Sequence, residues 1–252
     1  MAELTLQNVS KSFDNQLILN DINLSVGNEE FVSVLGPSGS GKSTLFNLIG
    51  GLYQPDQGEI TLDGDTITGT RGSISYMPQS PSLFPWRTIV DNVMLGSEIV
   101  GEPDREAAMN MLKKAGLSGY ENAYPHQLSG GMKQRAAFVR SLLSPQPLIC
   151  LDEPFSALDE FTRLEMQKWL LDLWSEHKRS VLFVTHNIEE ALFLSDRVIV
   201  LSERPATVQK EFEVPFDRPR EETLLLSEEM LSWKREIYQV LKRGDGSGAS
   251  RG

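Results

Sequence analysis

The run Gly36-Pro37-Ser38-Gly39-Ser40-Gly41-Lys42-Ser43-Thr44 brings together residue types that suit one task, the holding of phosphate. It follows the apolar stretch FVSVL and precedes the helix-forming LFNLIGGL, so strand, loop and helix come in the order a phosphate-binding loop requires. Its glycines let backbone N–H groups converge on phosphate oxygens, and the helix amino terminus adds a favourable dipole. Lys42 is long enough to reach β- and γ-phosphates, and the Ser43 hydroxyl can ligate magnesium. ATP and Mg2+ are the ligands this chemistry implies.

Four further clusters suit chemistry on the same phosphates. LICLDEP makes a buried strand that delivers Asp152 at its carboxyl end, where a carboxylate can hold a magnesium shell. Glu153, one residue further out, is placed to polarise an attacking water. In VLFVTHN, His186 emerges at the end of another apolar run, where an imidazole can hydrogen-bond a γ-phosphate or the water. Gln79, in SYMPQS, follows a short strand and offers a neutral side chain for metal and water; His126 and His177 have no such surroundings. LSGGMKQR is a second glycine-rich helix start without a phosphate-binding lysine. Ser129, Gly130 and Gly131 lack side-chain bulk, so their N–H groups can approach a phosphate closely.

The elements that must position these groups are readable from hydropathy. FVSVLG, LICLD, VLFVT and RVIVL are nearly continuous apolar runs, as in strands buried on both faces of a parallel sheet. ELTLQNV and DINLSV alternate with period two and predict an antiparallel subsheet near the amino terminus. The fold class expected is α/β, a mostly parallel sheet flanked by helices, with an antiparallel β subdomain and an inserted helical subdomain over about 80–145. In DREAAMNMLKKAG, Ala108, Met111, Leu112 and Ala115 share a helical face, and Gly116 suits the carboxyl-terminal cap. TVQKEFEV and SEEMLSWKREIYQVLK predict a strand and a helix over about 205–243. In that helix Ser227 caps and Met230, Trp233, Ile237 and Val240 form a stripe. Residues 244–252 read as a flexible tail.

At 252 residues the chain suits one domain with a small subdomain. Its charge, 24 basic minus 35 acidic residues or −11, argues against a phosphate-tracking surface, so nucleic acid is not an expected partner. The single cysteine, Cys150, lies in an apolar run and reads as a core residue of a reducing compartment. The amino terminus has neither a basic n-region nor an apolar h-region, and no stretch approaches the ~18 apolar residues of a spanning helix.

On these motifs the chain resembles the ATP-binding subunit of an ABC transporter, over about residues 3 to 202. The resemblance implies that LSGGMKQR is the signature motif and SALD, ending at Asp159, the loop after the catalytic strand. It further implies that Gln79 is the Q-loop residue, His186 the switch histidine and Phe13 the ring that stacks on adenine. Phe13 stands where the family commonly has tyrosine, and Asn187 where it commonly has aspartate. In the resembled fold the signature faces away from the chain's own nucleotide, so a second copy must supply it. One loop and one signature then give a two-fold, head-to-tail, ATP-dependent dimer.

After Gln79 comes SPSLFPWRTIVDNVMLG, whose Leu83, Phe84 and Trp86 either pack on the core or cover a groove for another protein. In the resembled family this region receives the integral membrane permease. LFPWRTIVDNV with ERPATV and VPFDRPR looks like the branch importing nitrate, sulfonates, taurine or pyrimidine precursors. An extracytoplasmic solute-binding protein would be an indirect partner, and the chain would sit peripherally on the cytoplasmic face of the cell membrane. A soluble non-transport ABC ATPase is the alternative. A P-loop kinase would leave the signature and Glu153 unexplained.

Overall fold

A computed structural model describes residues 3–156 and 158–245. Ala157 of the SALD loop and residues 246–252 of the expected tail lie outside them. Along the chain run β1 (Leu4–Phe13), β2 (Gln16–Val26), β3 (Phe31–Leu35), α1 (Lys42–Ile49), β4 (Gln57–Leu62), β5 (Asp65–Thr66) and β6 (Ser75–Met77). Then come α2 (Ile89–Val93), α3 (Leu95–Ile99), α4 (Arg105–Lys114), α5 (Gly130–Leu142), β7 (Leu148–Asp152) and α6 (Glu160–His177). The last elements are β8 (Ser180–Thr185), α7 (Ile188–Leu194), β9 (Arg197–Leu201), β10 (Val208–Glu213) and α8 (Glu228–Asp245). They divide into two units: one takes in the chain through Ser73 and from Arg179 onward, the other Ile74–Lys178.

In the first unit β1 pairs antiparallel with β2 and β4, and β5 extends β4, so the amino-terminal alternation becomes a four-stranded antiparallel sheet. The all-apolar strands instead form a parallel layer. β3 pairs with β8 from Phe31↔Val181 to Leu35↔Thr185, and with β9 from Val32↔Arg197 to Leu35↔Val200. Leu35 and Thr185 are therefore level, so the loop that begins at Gly36 and the side chain of His186 leave the same sheet edge. β10 closes the far side antiparallel to β9. Every residue of β3 and β8 is buried, as a strand covered on both faces must be.

The α8 stripe packs as its spacing predicts: Met230 and Ile237 are fully buried, with Trp233 and Val240 beside them, against Leu192, Val198 and Phe212. Ser227 Oγ accepts from Met230 N at 3.1 Å and so caps the helix. The helix runs through Gly244 and Asp245, two residues into the segment read as tail. In the preceding VPFDRPR segment, buried Arg220 donates to the carbonyls of Leu192, Phe193 and Ser195 at 3.1, 3.1 and 2.7 Å. Burial lowers its pKa to about 10.

In the second unit β6 and β7 pair in parallel, Ser75↔Ile149 to Met77↔Leu151, so Gln79 and Asp152-Glu153 also leave one edge. The helices pack through Ile89, Val93, Ala108, Leu112, Ala136 and Val139. Asp104 caps α4 through Ala107 N, and Gly116, at φ 70, follows its end. Among the described residues no helix is long and apolar enough to cross a membrane.

Candidate active site

The phosphate loop is shaped from beneath. Gly41, at φ 108, lies on β2, where a Cβ would come within 2.9 Å of Leu19 and 3.0 Å of Ile18. Only glycine combines that backbone with that closeness. Gly39, at φ 80, is open, with nothing within 4 Å of its Cβ direction. Lys42 is buried and donates to the carbonyls of Gly36 at 2.8 Å and Pro37 at 2.9 Å, closing the loop around its own ammonium. Side chains cap α2, α4, α5, α6 and α7, but α1 starts at Gly41 with no side-chain cap and no acidic residue in its first turn. Its first N–H groups and the buried cation suit a polyphosphate. Ser43 is exposed and Thr44 half-buried.

His186, exposed at the end of β8, precedes a tightly capped helix. Asn187 Oδ1 accepts from Glu189 N at 2.8 Å and Glu190 N at 3.3 Å, while Asn187 N donates to Thr185 Oγ1 at 3.0 Å. An amide does this capping as well as a carboxylate, which accounts for Asn187 locally. Phe13 is half-buried: its ring meets Tyr53 edge-on at 5.2 Å, and Lys11 Nζ lies 5.3 Å from its centroid. Tyr53, 43% exposed, follows a helix end and carries no sequence signal of its own.

In the second unit the expected carboxylates stand at the end of β7. Asp152 is 6% exposed and accepts from the Tyr76 hydroxyl at 3.3 Å. Burial, and then the Asp152 charge, push the Tyr76 phenol well above its usual range, so it stays a donor. Glu153 has φ 44, a left-handed backbone that costs a non-glycine residue about 1–2 kcal/mol. Its neighbours hold it there. Gln134 of α5 bonds the Pro154 carbonyl, Ser156 N donates to Glu153 O at 3.1 Å, and Phe155 stacks on Phe138 at 6.2 Å. Gln79 Nε2 lies 3.4 Å from Glu153 Oε2 and 3.3 Å from Ser156 Oγ. The structure thus joins two candidate residues far apart in sequence, and the parallel register of β6 and β7 is the cause. No group of three or more His, Cys, Asp or Glu side chains poised to hold a metal occurs among the described residues. Magnesium, which keeps water and takes one or two carboxylates beside phosphate, fits such a sparse donor set.

Ser129 caps α5 through Met132 N at 3.3 Å. A Cβ on Gly130 would meet nothing within 4 Å, and one on Gly131 only ordinary contacts with Leu158 and Thr162 at 3.5 and 3.8 Å. Asp159 caps α6, accepting from Thr162 N at 3.1 Å and Oγ1 at 2.7 Å, and these bonds hold its carboxyl below the usual range. The SLFPW loop is braced from behind. Buried Asn92 accepts from Phe84 N at 2.7 Å and donates to the Phe84, Arg87 and Thr88 carbonyls at 3.1, 3.2 and 2.9 Å. Arg140 holds Pro81 O at 2.9 Å and Ser82 O at 2.8 Å. Leu83 packs inward on the helical core, and Phe84 is half-buried. Trp86 stacks on Phe84 at 5.1 Å yet remains 70% exposed.

An uncapped glycine-rich loop on a buried parallel strand is the device of a nucleoside triphosphate-binding α/β ATPase. Residues 19–156 match the sequence model of the family described as ABC transporter. The chain is 42% identical over 247 residues to an uncharacterized ABC transporter ATP-binding protein of Methanocaldococcus jannaschii, covering 95% of this chain and 91% of that one. It is 42% identical over 244 residues to the formylaminopyrimidine import ATP-binding protein of Halalkalibacterium halodurans, with coverages of 94% and 96%. With an aliphatic sulfonates import ATP-binding protein of Rhodococcus jostii it shares 41% over 244 residues, with coverages of 97% and 95%. Among solved structures, a dimeric ATP-binding cassette in a post-hydrolysis state bound to ADP and Pi is similar at TM-score 0.74 and 33% identity, covering 85% of this chain and 100% of that one. The chain belongs to the ABC transporter family, as an ATP-binding cassette with ATPase activity.

Proposed function

We propose that the chain energises an importer of a small anionic or heterocyclic solute, hydrolysing ATP at two sites shared with a second copy of itself. The observation that carries the shared site is the start of α5. Its own fold asks for glycine at neither Gly130 nor Gly131, since a Cβ finds room at both. Each glycine in a helix costs up to about 1 kcal/mol against alanine. Bare N–H groups there serve something that approaches from outside, and a phosphate held by another copy is that thing. The dimeric solved relative supports the pairing, and the import relatives support the solute class.

In this reading Lys42 and the amides from Gly39 to Thr44 grip the phosphates, and Phe13 stacks on adenine. Ser43, Gln79 and Asp152 would hold magnesium, which when bound neutralises phosphate charge. Glu153 accepts a proton from water as the water oxygen attacks the γ-phosphorus. The bond to the bridging oxygen breaks and ADP departs with the electron pair. Gln79, within reach of Glu153, orients that carboxylate, and His186 donates to the phosphate. Gly130→Ala tests the shared site: it should leave the thermal midpoint unchanged or a few degrees higher, yet weaken ATP-driven self-association on sizing chromatography. Undiminished association would count against the reading.

The membrane subunit is assigned to the braced Leu83, Phe84 and Trp86 loop. A rigid, stacked and exposed indole is the kind of group that anchors an interface. Trp86→Glu is expected to spare folding and the ATPase rate of the isolated chain. Transport in cells dependent on this chain should fall roughly tenfold or more, the effect of losing an anchor of about 2 kcal/mol. Unchanged transport would remove this loop from the contact.

A further inference from the structure

Beside the phosphate loop lies a cation to which neither the motifs nor the reading above assigns a task. β9 runs into the turn Ser202–Thr207, and that turn is locked in place. Ser202 Oγ donates to Glu203 O at 2.8 Å and accepts from Thr207 N at 2.9 Å, and Ser202 N donates to Thr207 O at 3.0 Å. Ala206 is buried; its N–H donates to Ile18 O at 2.8 Å and its carbonyl accepts from Asn20 N at 2.9 Å. Ile18 and Leu19 are the residues that lie under Gly41. One segment of β2 is therefore the floor of both the phosphate loop and this turn.

The two meet across a cleft lined by Ser38, Gly39, Ser40, Glu203 and Arg204. Ser40 is buried, and among the described residues its hydroxyl has no hydrogen-bond partner. It sits on the β9 side of the loop: a Cβ on Gly36 would point at both Ser40 Oγ, 2.9 Å away, and Leu201 Cβ, 3.2 Å away. Arg204 and Glu203 are exposed, and among the described residues neither side chain is in an ion pair. The chain as a whole carries a net charge of −11, so its average field opposes a polyphosphate. The locked turn carries the Arg204 guanidinium on the flank of the loop, and a cation there would counter that field at a bound phosphate.

We propose that Arg204 is an electrostatic positioning residue that raises affinity for phosphate-rich nucleotide at this loop and favours ATP over ADP, which carries one negative charge fewer. Glu203 tempers the effect. The inference rests on the phosphate-loop reading. It is tested on the full chain with Arg204→Lys, Arg204→Gln, Arg204→Glu and Glu203→Gln, titrating ATP and ADP without magnesium at low and high salt.

Dissociation constants should follow charge alone. Arg204→Lys stays near wild type, Arg204→Gln weakens ATP binding about threefold, Arg204→Glu about tenfold, and Glu203→Gln tightens it. The spread is smaller for ADP and fades near 1 M salt, where screening is about 3 Å. A structural role would move neither the ATP-to-ADP ratio nor the salt slope. A flat series, or Arg204→Lys as weak as Arg204→Gln with a lowered thermal midpoint, would overturn the proposal. Lys42→Ala, run alongside, separates the two levels. If it keeps wild-type affinity, the phosphate-loop reading falls and this inference with it. If it loses affinity while the Arg204 series is flat, the inference falls alone.

Discussion

Lys42→Ala is expected to bind ATP about a hundredfold more weakly and to lose turnover, while remaining folded. Lys42 is 7% exposed, and its ammonium lies 2.8 and 2.9 Å from the carbonyls of Gly36 and Pro37. Truncation removes the buried cation and also the donor that holds the loop's first two carbonyls in place. A charge-assisted bond is worth about 1.5–3 kcal/mol, and its upper end corresponds to the hundredfold loss. Folding should persist because Leu35, Leu45 and Phe46, fully buried around the loop, are untouched. Calorimetric titration of ATP and a thermal melt give both answers. Normal affinity and turnover in this variant would refute the assignment of the loop.

Why that loop could be read in the sequence, while other parts of the site could not, follows from the range of the signals. FVSVL and VLFVT announce buried strands because a strand covered on both faces needs apolar residues throughout, and the structure pairs them in parallel. The phosphate loop is legible for a similar reason: its glycines, lysine and hydroxyls are contiguous. Contacts between distant segments leave no such trace. The approach of Gln79 to Glu153 depends on the β6–β7 register, and Tyr76 reaches Asp152 by the same register. Asn92 looks like one more polar residue of a short helix, yet its side chain makes four hydrogen bonds behind the SLFPW loop. Asn187, where the resembled family commonly has aspartate, is locally a helix cap, which needs an acceptor oxygen and no charge. Nor does the sequence announce that Tyr53, 40 positions away, meets the ring of Phe13 edge-on.

Glu153→Gln should bind ATP, fail to hydrolyse it and accumulate as a dimer. The substitution keeps the shape of the side chain, and an amide oxygen can still accept from Gln79 Nε2, now 3.4 Å from the carboxylate. What is lost is the charge that draws a proton from water, a role worth roughly 10²–10⁴-fold in rate. In the shared-site reading the γ-phosphate is gripped by Lys42 of one copy and by the Ser129–Gly131 amides of the other. Cleavage and phosphate release dissolve most of that charge-assisted bonding, so dimer lifetime is set by hydrolysis. Blocking hydrolysis therefore stores the closed pair. Adding Ser129→Arg should undo the trap: the long side chain would fill the open approach above Gly130, where nothing lies within 4 Å. It leaves the chain's own phosphate loop unaltered, so each monomer still binds ATP. The helix cap on Met132 N is lost with Ser129 at a cost of about 1 kcal/mol; the thermal midpoint of Ser129→Ala, which lacks the bulk, measures that part separately. Sizing chromatography with ATP in the absence of magnesium compares the single and double variants. A Glu153→Gln chain that stays monomeric at saturating ATP, or a double variant that still dimerises, would leave a one-chain ATPase and no shared site.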